Sequence, residues 1–269
     1  MIVKAKIYLV NSEENWQTEL GGSIPGERVV VRGRDLFTEL EDFSWLKLLL
    51  FMITGREFED NAVELLDKIW ALTISYPDPR VWNNRIGALA GTVRSTGSLG
   101  VGAGAAVSEA KIYGGQANIA AIDFIKECSQ KIEAGEKLEN LVKAELKTNR
   151  AVYGYGRPIA NGDERIQPIK NLMKKTGYAQ GKHVQLAYEI ENFLMSGRWR
   201  LQMNITGLAA AVGADMGFSV KEYYLYAVNG FNAGITACYA DALSKEEGTL
   251  FPLRCTRIAY EGISDRKWK

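Results

Sequence analysis

Histidine is nearly absent: the 269 residues contain one, His183. That excludes any mechanism needing two imidazoles, whether as an acid and base pair or as two metal ligands. Cysteine is scarce too. Cys128, Cys238 and Cys255 form an odd, widely spaced set with no C-x-x-C pair, so neither a disulfide framework nor a zinc site is expected, and no metal. Cys128 and Cys238 fall in apolar helical patterns and read as small core residues. Excess charge is missing as well. The 33 Lys and Arg balance 32 Asp and Glu, a formal net charge of +1, which argues against nucleic acid or an anionic membrane as partner. No apolar run reaches the about eighteen residues of a transmembrane helix. The first twenty residues turn acidic and polar too early for a signal peptide. What remains, 46% hydrophobic and 24% charged, is the composition of a soluble folded protein, large enough for one big domain or two closely packed ones. A reducing, cytoplasmic setting is expected.

Apolar spacing sets the fold class. Val3, Ala5, Ile7 and Leu9 alternate with polar neighbours as in a half-buried strand, and Glu27–Arg32 reads as a second, bounded by Pro25-Gly26 and Gly33. Helical spacing then takes over. Trp45, Leu48, Leu49, Met52 and Ile53 predict a helix that Gly55 ends. Ala62, Leu66, Ile69, Trp70 and Thr73 predict another, stopping before Pro77 and Pro79. Further helices are expected around Ala121–Ile132 and Leu186–Leu194, and one long helix over Val220–Leu243 with Phe231, Ile235 and Cys238 on one side. The chain is therefore expected to be all-α, with a small N-terminal β element.

Gly87–Ala110 is dense in Gly, Ala and Ser and nearly free of charge. It lacks the Lys-Ser/Thr ending of a phosphate loop and follows no parallel strand. Small residues at three- and four-residue spacing instead allow helices to approach backbone to backbone. Each helical glycine costs about 1 kcal/mol relative to alanine. The glycines between Gly91 and Gly104 therefore need compensation from close packing, for which a subunit interface is the natural source.

Four polar constellations interrupt the helices: Tyr76–Arg85, Ile112–Asn118, Val152–Pro158 with Asn161–Arg165, and Met203–Gly207. Singly, each reads as turns and caps: Asp78 as an N-cap, Gly154 and Gly156 as turn formers, Thr206 as a helix start. Gly114-Gly115, at a helix start, can offer backbone N–H groups to an anion or a carbonyl oxygen.

In order and spacing, these segments resemble the citrate synthase superfamily, and best in length its short form, citryl-CoA lyase. Val31-Arg-Gly-Arg-Asp-Leu36 resembles the family's R-G-x-D/P-I/L element, and Leu48–Glu57 its L-L-x-x-G-x-x-P helix and turn. Asn83, Asn84 and Arg85 resemble the substrate loop, and Ile112-Tyr-Gly-Gly-Gln-Ala-Asn118 the H-G-G-A-N-E helix start. Gly154-Tyr-Gly-Arg-Pro158 with Asp163-Glu-Arg165 resembles G-[FY]-G-H-R followed by D-P-R. Asn204-Ile-Thr-Gly207 resembles N-V-D, and Arg257-Ile-Ala-Tyr260 before Gly262 the closing R-x-Y-x-G stretch.

The resemblance implies a large domain (1–113 and 201–269), a small one (114–200), a ligand cleft between them that closes on binding, and a homodimer or higher homo-oligomer with shared sites. It implies coenzyme A or an acyl-CoA as substrate, beside a small carboxylic acid. The departures are specific. Where the family has two catalytic histidines and an aspartate, this chain has Tyr113, Arg157 and Thr206. Phe231 stands where an arginine often binds substrate carboxylate, while Arg165 keeps the D-P-R arginine. Thr206 is a poor base and Arg157 is permanently charged. Asp78 and Asp163 are the carboxylates nearest the family's catalytic positions. A tyrosine among Tyr113, Tyr153 and Tyr155 could serve as acid or base if Arg157 lowered its pKa. Tyr155, Phe231, Arg257, Asn204, Asn83, Asn84, Arg85, Gly114 and Gly115 complete the expected binding set. His183 matches no catalytic element and reads as exposed or capping. The expected function is C–C bond making or breaking in an acyl-CoA or related acid by a non-standard site, not true citrate synthesis. The alternatives are other lyase or transferase chemistry without CoA, and a silent ligand-binding homologue.

Overall fold

The structure, a computed structural model, describes residues 10–11, 13, 17–157, 162–249 and 255–264. The strand expected over Val3–Leu9 lies outside them. The chain is mostly α-helical with one small sheet. Among the described residues no helix is long and apolar enough to cross a membrane. By its contacts the chain divides into two compact units, residues 1–73 with 117–227 and residues 74–116 with 228–269. This is a different partition from the large and small domains that the resemblance implies.

The first unit opens with an antiparallel sheet in the order β1 (Gly21–Ile24), β2 (Arg28–Val31), β3 (Arg34–Asp35), with Gly21 opposite Val31. β2 lies where the sequence predicts a strand. β1 is exposed throughout and has no apolar alternation to announce it. Helix α1 (Trp45–Thr54) starts at Ser44, whose Oγ accepts the Lys47 N–H at 3.2 Å, and ends at Gly55 with φ 72°. Helix α2 (Asp60–Thr73) buries Leu65, Leu66 and Ile69. Four rings stack through the core: Phe58 on Phe218, Phe218 on Tyr226, and Tyr226 on Trp70, at centroid distances of 5.3, 5.9 and 5.0 Å. The Tyr226 hydroxyl, wholly buried, donates to the Leu66 carbonyl at 2.7 Å, which satisfies the polar end of an otherwise apolar stack.

Helices α5 (Gly115–Glu133), α6 (Leu138–Asn149), α7 (Ile166–Thr176) and α8 (Lys182–Ser196) follow, then α9 (Ile205–Asp215) and α10 (Val220–Asn229). All of α9 except Thr206 and Asp215 is buried. Its alanines favour the helix, and its glycines let neighbours close in: a Cβ on Gly213 would stand 2.6 Å from the Tyr223 ring. At its far end, Asp215 accepts the His183 and Val184 N–H groups at 2.8 and 2.9 Å, and His183 Nδ1 lies 2.9 Å from the same carboxylate. Asp215 therefore caps α8 from outside. His183 is partly buried beside it rather than exposed.

The second unit is built on α3 (Trp82–Thr92), α4 (Gly97–Val107) and α11 (Asn232–Leu243), with a 3-10 turn at Cys255–Arg257. The glycines of the small-residue segment meet α11. A Cβ on Gly87 would lie 2.5 Å from the Ile235 carbonyl, one on Gly91 2.6 Å from the Tyr239 carbonyl, and one on Gly104 2.6 Å from the Ile235 side chain. The compensation sought at a subunit interface is thus supplied, at these positions, inside the chain. The single helix expected over Val220–Leu243 is two. The break falls at buried Gly230, whose carbonyl accepts the Ser75 hydroxyl at 2.9 Å, and Phe231 stands at the N-cap of α11. A poor helix former with another partner for its carbonyl ends the first helix there.

Candidate functional site

In the first unit, three chain segments meet at one carboxylate. Asp163 has no exposed side-chain surface. It accepts Arg165 Nε and Nη2, both at 2.8 Å, the Arg165 N–H at 3.1 Å and the Ile205 N–H at 2.9 Å. Burial by itself would raise its pKa; the bonds from Arg165 and Ile205 outweigh this and hold it below the usual carboxylate value. Arg165 spends its remaining Nη1 on the Thr73 carbonyl at 2.9 Å. Arg157 reaches the same place: its Nη1 lies 3.8 Å from Asp163, 3.3 Å from the Gly162 carbonyl and 2.5 Å from Glu164. Hydrogen bonding to Arg157 lowers the pKa of Glu164.

Local sequence explains the meeting. Gly154 and Gly156 take φ of 92° and 82°, a left-handed bend that glycine makes without strain. The bend brings Gly154 against Gly207: a Cβ on Gly207 would stand 2.5 Å from the Gly154 carbonyl oxygen. Asn204 is the N-cap of α9, its Oδ1 accepting the Thr206 and Gly207 N–H groups, while its Nδ2 donates to the Gly156 carbonyl at 2.9 Å. Tyr155 bridges to Met203 as an isolated β pair. Its hydroxyl donates to the Ala187 carbonyl at 2.9 Å, and burial pushes its pKa well above the ordinary value. That is the opposite direction from the lowered tyrosine pKa considered for acid–base work; Tyr155 acts as a tie.

The other expected residues lie in the second unit. Asp78 accepts Arg80 N, Nε and Nη2, and these bonds lower its pKa to about 2, which makes it a weak base. It is not an N-cap, because α3 begins after Val81. Asn83 and Asn84 are buried. Asn83 Nδ2 donates to Ser108 Oγ at 3.0 Å, and Asn84 Nδ2 to the Tyr76 and Asp78 carbonyls at 3.0 and 3.2 Å. Arg85 bonds the Pro79 and Arg80 carbonyls. Asn84 and Arg85 thus shape the 76–81 loop from within, and Asn83 ties α3 to Ser108 at the end of α4.

Gly115 opens α5, and its N–H donates to the Ser108 carbonyl at 2.8 Å, so that group is already engaged. Gly114 fits where a Cβ would stand 2.4 Å from the same carbonyl. Tyr113 is exposed, has φ 64°, and lies 6.3 Å from the Trp82 ring. A left-handed conformation at a bulky residue is strained, and such strain gathers at functional positions. Phe231 is buried and Arg257 exposed. Among the described residues no three His, Cys, Asp or Glu side chains gather as metal ligands. Pro158 and Asn161 lie outside the described residues, as does the side chain of Cys255.

Sequence reasoning gave Glu164 and Ser108 no role. A sequence signal existed for the first, since a glutamate stands where D-P-R has its proline. None existed for Ser108, which acts through a buried contact.

The fold has solved counterparts. The structure matches citryl-CoA lyase from Hydrogenobacter thermophilus with a TM-score of 0.82 at 20% identity, over 95% of this chain and 98% of that one. It matches ATP citrate lyase from Methanothrix soehngenii, solved with citrate and coenzyme A, with a TM-score of 0.77 at 17% identity, over 97% of this chain but 44% of that one. Citrate synthase from Thermoplasma acidophilum matches at 0.60 and 18% identity, over 84% and 59%. No curated protein sequence matches the chain. The family profile "Citrate synthase, C-terminal domain" matches residues 27–247, and the chain belongs to that family.

Proposed function

We propose that this protein is a divergent citrate synthase- or citryl-CoA lyase-like enzyme that makes or breaks a C–C bond in an acyl-CoA or related carboxylic acid. The observation that carries the reading is the meeting of Arg157, Arg165 and the Asn204–Thr206 helix start around Asp163. Two guanidinium groups gathered at one carboxylate suit a substrate carboxylate and a developing oxyanion. In this reading Arg157 stabilises negative charge, Arg165 orients the acid, and exposed Tyr113 donates to a thioester or carboxylate oxygen. The reaction is not that of citrate synthase itself, because Tyr113 and Arg157 stand in for the two imidazoles. The proposal keeps the large (1–113, 201–269) and small (114–200) domains.

A second reading, a CoA-independent enzyme or a silent binding protein, draws support from the ion pairs that Arg157 and Arg165 already make and from the engaged Gly115 N–H. Thermal-shift titration separates the two. Coenzyme A and acetyl-CoA are expected to raise the melting temperature. At a hundred times Kd the stabilisation is about 2.7 kcal/mol, or several degrees. No shift with either ligand removes CoA from the proposal. Wash-in of deuterium at the α-carbon of the bound acyl-CoA then distinguishes an enzyme from a silent binder.

The proposal includes a homodimer. Leu99 and Val107 on α4 are exposed, as are Ile258, Tyr260 and Ile263 after the 3-10 turn, and apolar surface of this kind favours a second copy. Arg257, exposed in the same segment, is assigned to a substrate carboxylate. Static light scattering is expected to give twice the chain mass of 29.8 kDa; a monomer at micromolar concentration would overturn the dimer.

A further inference from the structure

We infer that Glu164 is a built-in competitor at Arg157: its carboxylate holds the seat that an acidic ligand takes, so binding exchanges one carboxylate for another. The inference rests on the reading of this cluster as a substrate-acid site.

Glu164, not Asp163, is the exchangeable partner. Asp163 accepts four N–H groups, has no exposed side-chain surface and belongs to Arg165. Glu164 meets Arg157 at 2.5 Å with 73% of its side chain exposed, against 23% for Arg157. An exposed carboxylate gives up little on returning to water. Arg157 keeps its position after the exchange through the Gly162 carbonyl. The sequence agrees. Where the family pattern has a neutral proline, this chain has Glu164, and where it has a histidine, Arg157.

The tether has a chemical consequence. A bare guanidinium takes any small anion, but here the ligand must displace a carboxylate that is always nearby. An acid that offers a planar carboxylate to Arg157 in bidentate geometry meets that demand. The ligand class is therefore a carboxylic acid, for which citrate serves as the probe.

Calorimetric titration of the full chain with citrate tests this, using wild type, E164Q, R157Q and the double variant. E164Q is expected to bind citrate more tightly, by up to about fivefold, the span that the strength of an exposed pair converts to. R157Q is expected to bind more weakly. In the R157Q background, the Glu164 change is expected to add nothing, which separates competition at Arg157 from a general loss of negative charge. Equal citrate affinity in wild type and E164Q overturns the inference, as does a gain that persists without Arg157, or no citrate binding by either protein. If CoA and acetyl-CoA give no shift while E164Q still tightens citrate, CoA chemistry falls and the competitor stands. A CoA shift without the E164Q gain has the reverse meaning.

Discussion

Replacing Asp163 with alanine is expected to destabilise the protein by roughly 3–5 kcal/mol, the range for removing one partner of a buried ion pair. Asp163 takes two bonds from Arg165, one from the Arg165 backbone and one from the first residue of α9. Without it, a guanidinium that is 21% exposed and the Ile205 N–H lose their acceptor together. The loss must depend on pH. The folded-state pKa of Asp163 lies below its unfolded value. The stabilisation is therefore fully present above the unfolded value, near about 3.9, and is lost as pH falls through the folded one. Denaturant unfolding of wild type and variant should differ most at pH 7 and converge below about pH 4. A difference under 1 kcal/mol at pH 7 would mean that Asp163 does not organise the cluster.

Gly207→Val carries the second large effect, at about 3 kcal/mol, the upper end of ordinary overpacking costs. The obstruction is main chain. A Cβ there would meet the Gly154 carbonyl oxygen at 2.5 Å, and its Cα and C at 3.1 Å. The Gly154 oxygen also accepts the Asn204 N–H at 2.9 Å, so the added bulk strikes the turn that carries Arg157 and the cap of α9 together. Loss of stability should come with loss of any thermal shift by ligand. Gly102→Ala serves as the comparison, since its Cβ would meet nothing within 4 Å and a helical alanine gains up to about 1 kcal/mol. A Gly207→Val protein that melts with wild type would dispose of the backbone contact.

Much of the fold could be read from spacing because a helix or strand records one buried face in its apolar period. The ends of α1, the arrest of α2 before Pro77 and the β2 strand follow from such local rules. Partners do not. Nothing in the period of Gly87, Gly91 and Gly104 says that α11 covers them. Gly230 looks no different from a tolerated helical glycine until Ser75 takes its carbonyl. At the candidate site, the turn glycines Gly154 and Gly156 and the helix start at Thr206 were legible for the same local reason; the capping role of Asn204 was not. The enclosure of Asp163, the burial of Tyr155 and the engagement of Gly115 by Ser108 were not, because each depends on a group distant in sequence.

Helix α9 gives the cluster an unusual foundation. Its first N–H groups are held by Asp163 and Asn204, and Asp215 at its other end holds the start of α8. Every residue between Gly207 and Ala214 is buried. Such a helix has no cheap local opening. Its amide protons exchange with solvent only when most of the unit opens, so they belong to the slowest class in the chain. The Arg157–Arg165 cluster is thus fastened to the part of the protein that yields last. Under the proposed reading, ligand capture there draws on exchange of the Glu164 side chain at Arg157.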